Sequence, residues 1–290
     1  MSAIYKREVK SYFTSGMGYA MIGIFLLVMG LFFWGNNLNS KNGSVGATLY
    51  SISVVLVFLL PLLTMRLFAE EQRQKTDQLL FSAPITIWDI ILGKYFAVVT
   101  VFTVPVLVAC TMPLVLSQFA SGTYPFLENY FAILAFWFMG CVMLALGSLI
   151  SALTESQIIA CFATMCCSFI FWLMTSISSI ISSTAIASLI GLALLIALAA
   201  ILLFVFSGYN YIVTGIGFVV AEIALFIVYQ VRGAMFESLF NSILSSLSVF
   251  SRFYDFVSGN FNIGSIIYFV SVIFLFLYLT MQAIQKRRWS

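Results

Sequence analysis

RLFAEEQRQKTDQLLFSAPITIWDIILGK, Arg66 to Lys94, is the internal stretch of this chain that does not read as membrane. It holds eight of the 23 charged residues, counted as 13 basic plus 10 acidic. Nearly everything around it is apolar. Hydrophobic residues make up 62% of the chain and charged ones 8%, and the mean hydropathy is +1.11. Soluble domains carry roughly 25% charged residues. Several apolar runs are long enough to cross a bilayer as helices. The chain is therefore expected to be an all-α polytopic membrane protein. A polar segment kept between two spans of such a protein is there to touch something in water.

Within the stretch, Glu70, Glu71, Arg73, Lys75 and Asp77 surround few apolar residues, which predicts a solvated helix. Leu79, Leu80 and Phe81 then form an apolar knob, followed by Ser82, Ala83 and Pro84. Proline disfavours helix at the residue before it. Thr86 and Asp89 have the T-x-x-D spacing of a capping box, so a second helix is expected to start there and run through Gly93 and Lys94 into the third span. A knob on a helical turn held at the membrane surface suits a groove in a soluble partner.

Outward from this segment, spans are expected near 17–35, 47–68, 93–117, 129–152, 157–179, 185–206, 211–231 and 263–284. The pair at 185–231 has no charge in its connecting turn. The alternative is therefore six spans plus a membrane hairpin over 180–231. Residues 2–15 mix Lys6, Arg7 and Lys10 with Ile4, Tyr5, Val9, Tyr12 and Phe13 at helical spacing. This predicts an interfacial helix whose apolar face meets lipid. Residues 233–257 carry Phe236, Leu239, Phe240, Ile243, Leu244, Leu247 and Phe250 at i, i+3, i+4 and i+7. An amphipathic helix or short helical hairpin on the outer surface is expected there. The whole chain, 1–290, reads as a single transmembrane domain. The run Met17 to Trp34 is long for a signal peptide and is read as a retained first span.

Lysine and arginine counts orient the chain. With both termini inside, ten basic residues lie inside and three (Lys41, Arg232 and Arg252) outside. There is no histidine, which removes histidine acid–base chemistry, histidine metal sites and Ser-His or Cys-His pairs. The five cysteines lie in apolar segments without zinc spacing and read as small hydrophobes. No nucleic-acid or metal site is expected. Glu222, near the middle of the seventh expected span, is an intramembrane candidate by its cost alone. Pro105 and Pro113 are expected to kink the third span. The abundant phenylalanine is read mostly as lipid-facing surface.

The Arg66–Lys94 segment also resembles the cytoplasmic signature of type-2 ABC exporter permeases. Glu70, Glu71, Thr76, Leu79, Leu80, Pro84, Thr86, Asp89, Ile90, Gly93 and Lys94 carry the likeness. Lys75 stands where glycine is usual and Gln78 where glutamate is usual, and the lost glycine implies a more continuous helix before the knob. The opening YKREVKSYFTS, and the closing FYDFVSGNFNIGSIIYF with its final span and KRRW, are similar to the gliding-motility-type and copper-maturation-type branch. The resemblance implies a type-2 ABC exporter-like transmembrane domain in a bacterial plasma membrane. It implies a dimer, homo- or hetero-, of permease chains, and a separate ATP-binding subunit that carries ATP and magnesium. Residues 69–92 would be the coupling helix region, with Glu70, Glu71, Thr76, Leu79, Leu80, Phe81 and Pro84 as its ATPase-coupling residues. The chain itself lacks the G-x-x-x-x-G-K-[ST] phosphate loop, since Trp88 and Tyr95 flank its Gly-Lys pair where glycine and Ser or Thr belong. No cofactor is expected in this chain, and no catalytic residue. Two other readings stay open: a scaffold through which an ATPase does mechanical work on an extracytoplasmic partner, and a secondary transporter that uses Glu222.

Overall fold

In the computed structural model the described residues are 1–76, 86–119, 124–180, 184–207, 211–231 and 236–289, and no strand occurs among them. They divide into two compact units, residues 1–170 with 252–290, and residues 171–251. The helices, in chain order, are α1 (Ser2–Thr14), α2 (Met17–Phe33), α3 (Val45–Thr64), α4 (Ala69–Arg73), α5 (Ile87–Ala109) and α6 (Met112–Ser117). They continue as α7 (Phe126–Leu153), α8 (Gln157–Ile180), α9 (Ala185–Ser207), α10 (Tyr211–Val231), α11 (Leu239–Leu247), α12 (Val249–Val257) and α13 (Ile263–Trp289). Among the described residues, six helical stretches are long and apolar enough to cross a membrane: 17–39, 45–73, 87–117, 126–153, 157–174 and 263–286. α9 and α10 are apolar helices as well, over 185–207 and 211–231.

The larger unit is built around α3 and α7, its two most buried spans. α7 packs on α3, α5 and α13. Small residues let these helices approach, as membrane packing requires where no hydrophobic driving force separates helix from lipid. A Cβ on Gly147 would lie 2.2 Å from the Thr64 hydroxyl of α3, and one on Gly140 would lie 2.2 Å from the Phe102 ring of α5. Phe25, Phe102, Phe136 and Phe253 fill the space between, with ring centroids 5.8 to 6.3 Å apart along the chain of contacts. These rings are buried, so part of the phenylalanine that composition assigned to lipid serves as core.

Two asparagines close the end of this unit opposite α1. Asn37 donates to the carbonyls of Asn42 and Ser44 and accepts from the Thr48 hydroxyl. Asn129 on α7 accepts from the Val45 amide at 2.8 Å and donates to the Gly43 and Pro125 carbonyls. Asn37 sits in a π-helical turn, Trp34–Asn39, that prolongs α2 and that no sequence pattern announced. The third span breaks at Cys110–Thr111, with Pro113 in the first turn of α6. A proline there supplies no amide and crowds the carbonyl four residues back. Pro105, by contrast, is accommodated inside α5. The amphipathic stretch before the last span forms two short helices, α11 and α12, separated by Ser248 in an extended conformation.

In the smaller unit α9 pairs with α10, and α11 lies on α9 with the Phe240 ring over Gly191. Glu222 is carried by α10, with Oε1 buried and without a hydrogen-bond partner.

The helix contacts at glycine generate a test. Gly147→Ala and Gly140→Ala each destabilise the chain by about 1–3 kcal/mol, the usual cost of overpacking. This is read as a lowered melting temperature in detergent. Gly23→Ala, where a Cβ meets nothing within 4 Å, leaves it unchanged.

Candidate functional site

The polar segment leaves α3 and turns at once against the end of α7. Ser151 on α7 organises that turn: its Oγ accepts from the amides of Phe68 and Ala69 at 3.1 and 3.2 Å and donates to the Met65 carbonyl. The first amides of a helix have no partner within it. Here a side chain from another span supplies the cap that Phe68 itself lacks. Gln72 adds a second tie, donating to the Ala152 carbonyl at 2.9 Å.

α4 ends in a Schellman motif. The Thr76 amide bonds to the Glu71 carbonyl at 3.0 Å and the Lys75 amide to the Gln72 carbonyl at 3.2 Å. Lys75 has φ +55°, the left-handed conformation this motif needs at the residue after the cap. The expectation of a more continuous helix at this position is therefore wrong. Lysine does not extend the helix; it occupies a conformation that glycine adopts freely and other residues adopt at a cost. The downstream helix starts as expected, since the Asp89 amide bonds to Thr86 Oγ1 at 3.2 Å and the two side chains meet at 2.6 Å.

The centre of the site is Lys94, only 1% exposed. Its ammonium donates to the Leu67 carbonyl and to Glu8 and forms an ion pair with Glu71. Nζ lies 2.8 Å from the Leu67 carbonyl, 3.0 Å from Glu71 Oε1 and 3.3 Å from Glu8 Oε1. The Phe68 ring stands 5.5 Å from the same nitrogen. Arg7 completes the cluster, its Nη2 donating to Glu8 at 2.7 Å and to Glu71 at 2.9 Å. Two cations and two carboxylates thus form a neutral network that joins α1, α4 and α5. Burial by itself raises the Glu8 pKa, but the Lys94 ammonium and then the Arg7 guanidinium outweigh it and hold it below its ordinary 4.5.

The rest of α1 is seated to match. A Cβ on Gly93 would stand 3.1 Å from the Ile4 side chain, so glycine allows α1 to lie directly on α5. Tyr5 and Thr100 hydroxyls meet at 2.9 Å, and the buried Tyr12 donates to the Leu63 carbonyl at 2.8 Å. Arg66 sits over the Tyr12 ring and pairs with Glu70 at 3.1 Å. The reading that turned Ile4, Tyr5 and Tyr12 toward lipid is corrected here. Those residues share a face with Glu8, and a carboxylate that must reach a buried ammonium turns that face to the bundle.

Among the sequence-predicted site residues, then, Glu71 enters the network, Glu70 pairs with Arg66, and Thr76 closes the turn. Leu79, Leu80, Phe81 and Pro84 lie outside the described residues, and Glu222 belongs to the smaller unit. Sequence reasoning missed Glu8, Arg7, Ser151 and Gln72. One signal was present: Glu8 is the single acid among the basic residues of α1 and falls on the Ile4–Tyr12 stripe. Among the described residues no group of three or more His, Cys, Asp or Glu is placed to hold a metal ion.

Membrane-length apolar helices, with a surface helix and an interspan polar segment pinned to each other, define a multi-pass membrane protein. The sequence profile described as ABC-2 family transporter protein matches residues 2–283, nearly the whole chain. This chain belongs to the ABC-2 transporter family, as a multi-pass membrane protein. A comparison with curated proteins gave no match.

Three outcomes follow from this geometry. Lys94→Met leaves two carboxylates sharing one arginine and destabilises the chain by about 3–5 kcal/mol, seen as a lowered melting temperature. Glu8 has a folded-state pKa below its unfolded one, so its contribution is fully present above about pH 4.5 and is lost as the pH falls through the folded value. The melting temperature of wild type therefore exceeds that of Glu8→Gln by a steady margin near neutrality, and the margin closes in acid. Lys75→Gly relieves the left-handed backbone and raises stability by up to about 1 kcal/mol.

Proposed function

We propose that the chain is the permease subunit of an ATP-driven exporter and that a separate ATP-binding subunit docks on the segment after α4. The observation that supports this most directly is the Glu71–Lys94–Glu8 network. It ties the base of that segment to both α1 and the third span, so a push on residues 77–85 has a rigid route into the bundle. Lys94 is buried and paired with two carboxylates, and displacing it leaves its charge unpaired in a low-dielectric site. On this reading Glu71 does not contact the ATPase. It passes the movement on, while Leu79, Leu80 and Phe81 supply the docking knob, and Glu70, Thr76 and Pro84 shape the approach to it.

The cationic bias supports a cytoplasmic side for both termini and the docking segment, and the family resemblance supports a bacterial plasma membrane. Two permease chains, identical or different, would flank the path. ATP and magnesium belong to the partner subunit. The competing reading is a secondary transporter, favoured by the unpartnered Glu222 Oε1.

The test is co-purification of the tagged chain, expressed with its genomic neighbours, in mild detergent. An ATP-binding polypeptide is expected at one-to-one stoichiometry. Leu80→Asp is expected to lose it. Glu8→Gln is expected to keep it but to lower ATP hydrolysis by the complex, because docking survives and transmission does not. A chain that purifies alone and ignores ATP overturns the proposal. Transport by that chain abolished in Glu222→Gln would establish the competitor.

A further inference from the structure

The outward face of α1 meets the network described above only at Arg7. Arg7, Lys10, Ser11, Thr14 and Ser15 recur at i, i+3, i+4, i+7 and i+8, and so line one side of the helix. They border a shallow surface groove, open to solvent along most of its extent. All five are exposed, and Lys6 adjoins them. The groove is cationic because the nearby acids are committed elsewhere. Glu8 and Glu71 are held by Lys94 and Arg7, and Glu70 is held by Arg66. Neither Lys6 nor Lys10 has an ion pair among the described residues. The groove also lies at a defined depth. Gly16, with φ +72°, turns α1 straight into the apolar span α2. Beside that turn Phe13 and the well-exposed Tyr19 pack edge to face at 5.1 Å, an aromatic pair of the kind that sits at headgroup level.

We propose that this groove binds the phosphate of an anionic phospholipid headgroup. Lys10 and Lys6 supply the charge, the free Ser11 hydroxyl a hydrogen bond, and the Phe13–Tyr19 pair a wall for the glycerol and upper acyl chain. The lipid would approach Arg7, whose guanidinium also bridges Glu8 and Glu71, so headgroup occupancy bears on the same cluster from its solvent side. The inference needs only the membrane placement of α1 and stands whether or not an ATPase docks on the chain.

The experiment is native mass spectrometry of the full chain with short-chain phosphatidylglycerol, the matching phosphatidylcholine, and inorganic phosphate. Phosphatidylglycerol is expected to bind in preference to phosphatidylcholine. Each lysine near a membrane surface contributes about a fivefold gain for an anionic headgroup, so the Lys6→Gln/Lys10→Gln double variant weakens binding about 25-fold. Lys10→Arg alone retains it, and Lys41→Gln, at the opposite end, is silent. An unchanged melting temperature shows that the double variant is folded. Equal binding of both lipids, or undiminished phosphatidylglycerol binding by the double variant, overturns the proposal. So does binding of inorganic phosphate without any preference for the anionic lipid.

Discussion

A single ammonium group, that of Lys94, organises the end of the larger unit where α1, α4 and α5 meet. A buried cation is tolerated only with its donors satisfied and its charge balanced. Meeting that demand brings together a carbonyl from the turn after α3, a carboxylate from α4 and a carboxylate from α1. Arg7 then keeps the two carboxylates from repelling one another. Three elements distant in sequence are therefore placed by one side chain. The conformation of the chain between Thr64 and Arg73 follows from the same requirement, because the Leu67 carbonyl must point at Lys94 while the Phe68 and Ala69 amides point at Ser151.

The remaining bundle supports this arrangement by close packing rather than by polar contacts. Glycines at 93, 140 and 147 bring α1 onto α5, α5 onto α7, and α3 onto α7. Between them sit phenylalanine rings that touch edge to face or tilted. Such a core resists deformation.

The fold class was legible from composition and apolar run length alone, and the six long spans from the same runs. The capping box at Thr86 was legible because both partners lie within one turn. The Schellman turn at Lys75 was not. Its glycine signal had been replaced by lysine, and the preference of the backbone for a left-handed residue there is set by where α4 must stop against α7. The seating of α1 was misread because its apolar stripe is equally consistent with lipid and with protein. Only the position of Glu8 on that stripe separates the two, and its meaning depends on a lysine 86 residues away.

The sequence by itself determined that this is a helical membrane protein, that one polar segment stands between its second and third spans, and that this segment resembles the contact element of an ABC permease. These are properties of local composition and short-range spacing, which the chain carries whatever its tertiary contacts. Tertiary structure alone decided which charges gather around the buried Lys94. Glu71 and Lys94, read in the sequence as parts of a surface signature, turn inward to hold α1. Desolvation and pairing depend on three-dimensional proximity, and no spacing rule links residues 8, 71 and 94.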